Sequence, residues 1–160
     1  MKKNKLLLVS YAALFAAISI YFGTAWSTVI FQFPVLPELL VRNYYQHFVP
    51  QGSAATTLLS ILLPLMSAVC LLMIKEEWNT RFRWVPITVF VAIIAAACVH
   101  YFFVLPINRE MAARINDQTE LTLVISKWVQ YTWYRVVLWS VEWLAMMYYF
   151  GARAYQSMVK

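Results

Sequence analysis

Hydrophobic residues along the chain are gathered into four long runs that are separated by short polar stretches. The runs cover residues 6–33, 54–74, 84–105 and 128–152. At about 1.5 Å per residue, each run is long enough for a helix that crosses a hydrocarbon core of about 30 Å. Short connections favour antiparallel neighbours. The pattern therefore predicts an all-α fold, a transmembrane antiparallel four-helix bundle in which residues 1–160 form a single domain.

The first connection carries a further helical pattern. Pro34 and Pro37 end the first run, and residues 37–48 begin with a proline and place the acidic Glu38 in the first turn, which favours a short helix. Its apolar side chains can lie on a membrane surface, so we predict an interfacial helix in the first outer loop. Residues 50–53, Pro-Gln-Gly-Ser, then indicate a turn before the second span.

The composition excludes a water-soluble globule. Hydrophobic residues make up 62% of the chain and charged residues 12%, whereas soluble domains are about half apolar and a quarter charged. The net charge of +6 fits attraction to anionic lipid. No basic segment interleaved with aromatic residues is long enough to follow a phosphate backbone, so no nucleic-acid partner is expected. The sequence has no Cys-x-x-Cys pair, haem-attachment motif, glycine-rich phosphate loop or nucleophile elbow.

Lysine and arginine residues near the ends of the runs predict the orientation of the chain in a membrane. With the N-terminus inside, the inner segments hold eight of these residues and the outer loops hold four. The inner set is Lys2, Lys3, Lys5, Lys75, Arg81, Arg83, Arg153 and Lys160, and the outer set is Arg42, Arg109, Arg114 and Lys127. We therefore expect an integral protein of a bacterial cytoplasmic membrane with both termini in the cytoplasm.

Ionisable side chains lie inside the predicted spans. A charge in the hydrocarbon core of a membrane costs free energy, so its presence there indicates a compensating interaction or a function. Arg135 is seven residues after Trp128, and His100 is six residues before Pro106. Both are thus about 10 Å below the outer boundary of the membrane. The two side chains can share one outward-facing polar pocket, with Asn108 at its mouth. In an enzyme, His100 would act as the base, and Arg135 and Asn108 would stabilise an oxyanion.

Five more residues are candidates for binding a ligand at this pocket. They are Gln32, Trp128, Trp139, Tyr44 and Glu142. Steps of three, four and seven residues put the three members from the fourth run on the face of Arg135. The first outer loop is either a collar on the membrane surface or a lid that brings Glu38, Tyr44 or His47 over the pocket. Packing without any chemistry is the alternative interpretation for each of these polar side chains.

The motifs leave the cofactor and the partners open. No cofactor is required by the sequence, and a metal is not indicated. The alternative to an enzyme is a bundle that binds a ligand or a haem without catalysis. Ligation of a haem by two histidines would use His100 and His47, because the chain has no others. The expected partners are membrane lipid and a lipophilic small molecule, and the chain can also be a homo-oligomer or an accessory subunit of a larger membrane complex.

The end of the third run and the start of the fourth carry a resemblance to a known family. Residues 105–111 read LPINREM, and Trp128 and Arg135 follow in a Trp-x6-Arg pattern. This arrangement, together with Gly23 and the prolines after the first run, resembles the anthrone oxygenase-like family of small four-helix membrane proteins. The resemblance implies oxidation of a polycyclic phenolic substrate without an obvious cofactor. Family members are expected to have a histidine between the Trp and the Arg, and residues 129–134 contain none.

Overall fold

The computed structural model of the chain describes residues 2–158, and the side chains of residues 2–6 and of His47 are outside the description. Every regular element in this range is helical, which confirms the predicted all-α class. The α-helices are α1 (Lys2–Ser27), α2 (Tyr44–Glu77), α3 (Trp84–Val99), α4 (Leu105–Ala112) and α5 (Gln118–Met158). A π-helical turn, Thr28–Gln32, continues α1, a second, His100–Val104, joins α3 to α4, and a 3-10 helix covers Leu36–Glu38.

Three helical segments of the described range are long and apolar enough to cross a membrane. They are Leu7–Gln32, Tyr44–Glu77 and Trp84–Ala112. These segments are compatible with an integral membrane protein. The last of them is continuous, because the second π-helical turn carries the helix from α3 into α4. The helix α5 is not one of the three, and its buried face includes Arg135 and Glu142.

The first connection differs from its prediction, because residues 37–48 do not form a separate short helix. A 3-10 helix ends at Glu38, and α2 begins at Tyr44 and continues through Pro50 without the predicted turn at residues 50–53. Contacts with the rest of the chain outweigh the local signals of proline and glycine. The ring of Phe48, for example, packs edge-on against an indole of α5 at 4.8 Å between centroids and fixes the first turns of α2.

Aromatic rings order the contact between α1 and α5. The centroids of neighbouring rings lie 5.3 to 6.4 Å apart, a favourable separation for aromatic pairs. The pairs are Tyr11 with Tyr149, Phe15 with Phe150, Tyr21 with Trp139, and Trp26 with Trp133. Rings in the first half of α1 therefore meet rings near the end of α5, and rings in the second half of α1 meet rings nearer the middle of α5.

The buried apolar side chains of the described residues form two clusters. The larger one joins α1, α2, α3 and α5 and includes Ile18 and Ile93. The smaller one joins the start of α2, α4 and the start of α5 and includes Phe48 and Leu121. His100, Asn108 and Arg135, which were singled out in the sequence, lie between the two clusters.

Candidate functional site

A cavity of about 520 Å³ lies between the two apolar clusters. The larger cluster contributes Tyr21 to its wall and the smaller one contributes Phe48. Six of the residues singled out in the sequence also line it, namely Gln32, His100, Asn108, Trp128, Arg135 and Trp139. A cavity of this volume, mostly apolar with a few convergent polar groups, has the make-up of a small-molecule site.

The two π-helical turns position polar side chains on the cavity wall. The first and last residues of Thr28–Gln32 and of His100–Val104 all line the cavity. Each turn is followed by one residue and then a proline, Pro34 or Pro106. A proline has no N–H, and its ring clashes with the carbonyl group four residues earlier. A turn widened to bonds between residues five apart, such as Phe33 N–H to the Thr28 carbonyl at 3.0 Å, accommodates the proline.

His100 is a buried histidine on the cavity wall. Only 3% of its surface is exposed, and neither Nδ1 nor Nε2 has a hydrogen-bond partner among the described residues. Its ring meets the ring of Tyr101 edge-on at 5.5 Å. Buried polar groups are normally hydrogen-bonded. The imidazole is therefore free to bond to a ligand or to accept a proton from one.

Arg135 places a cation in the same cavity. The residue is 7% exposed, and its guanidinium group lies over the ring of Trp139 at 4.5 Å from the centroid. Trp139 is in turn stacked on Tyr21 at 5.3 Å. No carboxylate of the described chain forms a salt bridge with Arg135, and its Nε has no hydrogen-bond partner. The cation–π contact with Trp139 compensates the charge of Arg135 only in part. An anion bound in the cavity would compensate the rest.

Asn108 and Trp128 are joined by a hydrogen bond at one end of the cavity. The indole Nε1 of Trp128 donates to Oδ1 of Asn108 at 3.1 Å. This bond orients the amide of Asn108, so its Nδ2 is the atom left to donate to a ligand. A Cβ atom at Gly52 on α2 would lie 3.8 Å from that nitrogen, which is ordinary contact.

The cavity wall between α1 and α2 contains exposed residues. Thr24 of α1 and Ala55 and Leu58 of α2 belong to the wall and are also accessible from outside the protein. Next to them, Nε2 of Gln32 donates to Oε1 of Gln51 at 3.1 Å and joins the two helices. The wall of the cavity is therefore exposed on the side between α1 and α2.

Two predicted ligand-binding residues do not line the cavity. The hydroxyl of Tyr44 donates to the carbonyl of Met111 at 3.1 Å and accepts from the N–H of Ile115 at 2.6 Å. It therefore closes the connection after α4 and is not part of a lid. Glu142 is fully buried in α5, and neither carboxyl oxygen has a partner within the described part of the chain.

Of the two histidines that could ligate a haem, the structure describes the side chain of one. His100 lines the cavity, whereas the side chain of His47 lies outside the described residues. Among the side chains that the structure describes, no group of three or more His, Cys, Asp or Glu residues is arranged to hold a metal ion.

The sequence patterns passed over two residues of the cavity wall. Thr132 and Tyr21 are both buried, and neither hydroxyl has a hydrogen-bond partner among the described residues. A signal existed for the first, because Thr132 is three residues before Arg135 and so shares its helix face. Tyr21 belongs to a buried stripe of α1 at steps of three and four residues, but an aromatic residue in such a stripe is typical of any core.

A separate polar cluster lies at the other end of the protein, around Glu77. Its carboxylate is 4% exposed and accepts hydrogen bonds from the hydroxyls of Thr80 at 2.5 Å and Tyr149 at 2.7 Å. Arg153 forms a salt bridge with the same carboxylate. No sequence pattern predicted this cluster, because Lys75, Glu76 and Glu77 together are typical of an ordinary polar helix end.

Comparisons of the chain with family models, with curated proteins and with solved structures give no match.

Proposed function

We propose that the chain is an integral membrane protein whose four long helical segments cross the membrane as an antiparallel bundle with both termini in the cytoplasm. Three apolar segments support this arrangement. Large apolar side chains such as Phe31, Phe102 and Leu144 are exposed on the outside of the helices, where lipid would cover them. The opposed residue order of the rings between α1 and α5 supports antiparallel neighbours.

Within this bundle the cavity binds a planar lipophilic molecule that carries an acidic oxygen, either a carboxylate or a phenolate. The single observation that carries the proposal is Arg135, a buried cation on the cavity wall that has no carboxylate partner among the residues the structure describes. A charged side chain that is buried away from water normally has an ionic partner or a role in function. The rings of Trp139 and Tyr21 beside the guanidinium provide a flat apolar surface for the rest of the ligand.

Oxidation of an anthrone-like substrate is the reaction that this site supports best, in agreement with the resemblance of the sequence to the anthrone oxygenase-like family. His100 would remove a proton from the methylene carbon of anthrone, and Arg135 would stabilise the enolate oxygen that results. Molecular oxygen adds to that carbon and gives a hydroperoxide, which loses water to form anthraquinone. The balance is anthrone plus O2 to anthraquinone plus water, with O2 as the oxidant.

Binding is tested with naphthoate and the purified protein in lipid nanodiscs, by quenching of tryptophan fluorescence. We expect Arg135→Leu to weaken binding by on the order of 10- to 100-fold, because a hydrogen bond to a charged group is lost. The matched control is Arg42→Leu, which removes an exposed arginine outside the cavity and should leave binding unchanged. Equal affinity of naphthoate for the wild type and Arg135→Leu would contradict the proposal.

Catalysis is tested separately, by consumption of O2 and formation of anthraquinone when anthrone is added. The substitution His100→Gln should abolish turnover while naphthoate binding persists, since the arginine is retained. Naphthoate binding without any turnover of anthrone by the wild type would favour the non-catalytic ligand-binding alternative. A visible absorption spectrum with a Soret band would favour the haem alternative instead.

A further inference from the structure

Two buried hydroxyl groups of the cavity wall are not used by the proposed chemistry. They belong to Thr132 of α5, which is 4% exposed, and Tyr21 of α1, which is 3% exposed. Neither hydroxyl has a hydrogen-bond partner among the residues that the structure describes. A buried polar group without a partner costs free energy, so a hydroxyl of this kind on a cavity wall indicates that a ligand supplies the partner.

Thr132 differs from other threonines in the helices of this protein. A threonine in a helix usually satisfies its hydroxyl by donating to the carbonyl group four residues earlier. Five threonines do so here, at 2.7 to 3.1 Å, namely Thr24, Thr28, Thr56, Thr57 and Thr122. The hydroxyl of Thr132 makes no such bond, so it stays available to the cavity.

The position of Thr132 separates its hydroxyl from the charged part of the cavity wall. Trp128, Thr132, Arg135 and Trp139 all line the cavity, and steps of four, three and four residues put them on one face of α5. Thr132 precedes Arg135 by about 4.5 Å along the helix axis. The guanidinium group of Arg135 lies over the ring of Trp139, in the opposite direction along the helix, and Tyr21 is stacked on that same ring.

We infer that Thr132 determines the specificity of the cavity, because its hydroxyl binds a second oxygen of the ligand, away from the acidic oxygen at Arg135. The ligand is then a planar aromatic acid or phenol that carries a further hydroxyl or carbonyl group on a distant part of its ring system. A threonine hydroxyl both donates and accepts hydrogen bonds, so it suits either group. The inference rests on the anion binding proposed above.

The test compares naphthoate with a hydroxynaphthoate whose hydroxyl is at the ring position farthest from the carboxylate. Binding of both to the purified protein in lipid nanodiscs is measured by calorimetry. The wild type should bind the hydroxynaphthoate about 5- to 10-fold more tightly, because naphthoate leaves the buried hydroxyl of Thr132 without a partner.

The variant Thr132→Val removes the hydroxyl and keeps the shape of the side chain, so it should bind the two compounds with equal affinity. Thr132→Ser restores a hydroxyl and should restore the preference. Thr56→Val is the matched control, because Thr56 also lines the cavity but donates its hydroxyl to the carbonyl of Gly52 at 2.9 Å. It should keep the preference for the hydroxynaphthoate.

The ratio of the two affinities within one variant separates recognition from misfolding, since a loss of folded protein affects both compounds alike. Equal affinity of the wild type for the two compounds overturns the inference alone. A preference that persists in Thr132→Val also overturns it, above all if Tyr21→Phe loses that preference. Absence of binding of either compound to the wild type overturns the proposed function as well.

Discussion

Two buried ionic side chains are stabilised in different ways at the scale of single residues. Glu77 accepts bonds from two hydroxyls and pairs with an arginine, so its charge is compensated within the protein. Arg135 lies over the face of Trp139 and forms no salt bridge with a carboxylate of the described part of the chain. The compensated charge of Glu77 holds helices together. The charge of Arg135 is compensated less, so it can still contribute binding energy to a ligand.

The first residue-scale prediction concerns Glu77. The substitution Glu77→Gln should lower the free energy of unfolding by about 2 kcal/mol, less than for a fully buried pair because Arg153 is partly exposed. Equilibrium unfolding of the protein in detergent micelles measures the loss. The neighbouring Glu76→Gln is the matched control, since Glu76 is exposed and its loss should have little effect. Similar losses for the two variants would show that the cluster contributes no stability.

Sequence patterns predicted the positions of His100 and Arg135 but not the role of Tyr44, and the difference has a physical reason. Counting residues inward from Pro106 and Trp128 gave His100 and Arg135 a common depth, and both line the cavity. Depth follows from helix rise, which is the same everywhere. The role of Tyr44 could not be found in this way, because its hydroxyl bonds depend on where a distant connection lies.

At the scale of elements, the two π-helical turns set the direction of the polar side chains. A π-helical turn contains one residue more than an α-helical turn would, so it changes the relative rotation of the helix before and after it by about 100°. The turn His100–Val104 therefore decides whether His100 and Asn108 of α4 face the same cavity.

The element-scale prediction concerns Pro106, which we expect to hold the second π-helical turn in place. Pro106→Ala restores an N–H group and removes the clash, so the helix can return to the α form and rotate His100 relative to Asn108. Naphthoate affinity should fall by about tenfold, which corresponds to about 1.4 kcal/mol, and the protein should stay folded.

Pro64→Ala is the matched control, because Pro64 also lies inside a helix but follows no π-helical turn. It should leave naphthoate affinity unchanged. If Pro106→Ala binds naphthoate as the wild type does, the π-helical turn does not depend on the proline or does not matter for the ligand.

The sequence predicted the boundaries of helices that follow from long apolar runs. It did not predict the boundaries that depend on tertiary contacts. Three of the four runs fall inside long helical segments, and the first run ends one residue beyond its segment. A helix satisfies the backbone hydrogen bonds of so long an apolar run within the run itself, even where the run contains a proline. Residues 37–48 carry the usual local signals of a short helix, yet α2 continues through Pro50. Packing of its first turns against α4 and α5 is information that a local window does not contain.

At the scale of the whole molecule, the polar groups are divided between two ends. The cavity with Arg135 lies toward the connection of α4 and α5, and the cluster around Glu77 lies toward the connection of α2 and α3. In the proposed bundle these connections face opposite sides of the membrane, so the cavity is reached from the outer half and the ion cluster from the inner side.

The whole-molecule prediction concerns this orientation. In a background with Cys70→Ala and Cys98→Ala, cysteines introduced at Asn79 and Asn116 should react with a membrane-impermeant maleimide from opposite sides of sealed vesicles. Both positions are exposed in connections between helices. Ala154→Cys should behave like Asn79→Cys, because both positions are exposed and the proposed bundle puts both on the inner side. Reaction of Asn79→Cys and Asn116→Cys from the same side would contradict the bundle.

The two π-helical turns also bear on how the length of this protein can change in evolution. One inserted residue in a packed helix normally rotates everything beyond it onto a new face. In residues 28–32 and 100–104 an additional residue is already absorbed within a single turn, next to a proline that tolerates it. Descendants of an ancestral chain should therefore differ by one residue at these two places more often than elsewhere in the helices, and a shorter version should point different side chains into the cavity while it keeps the rest of the core.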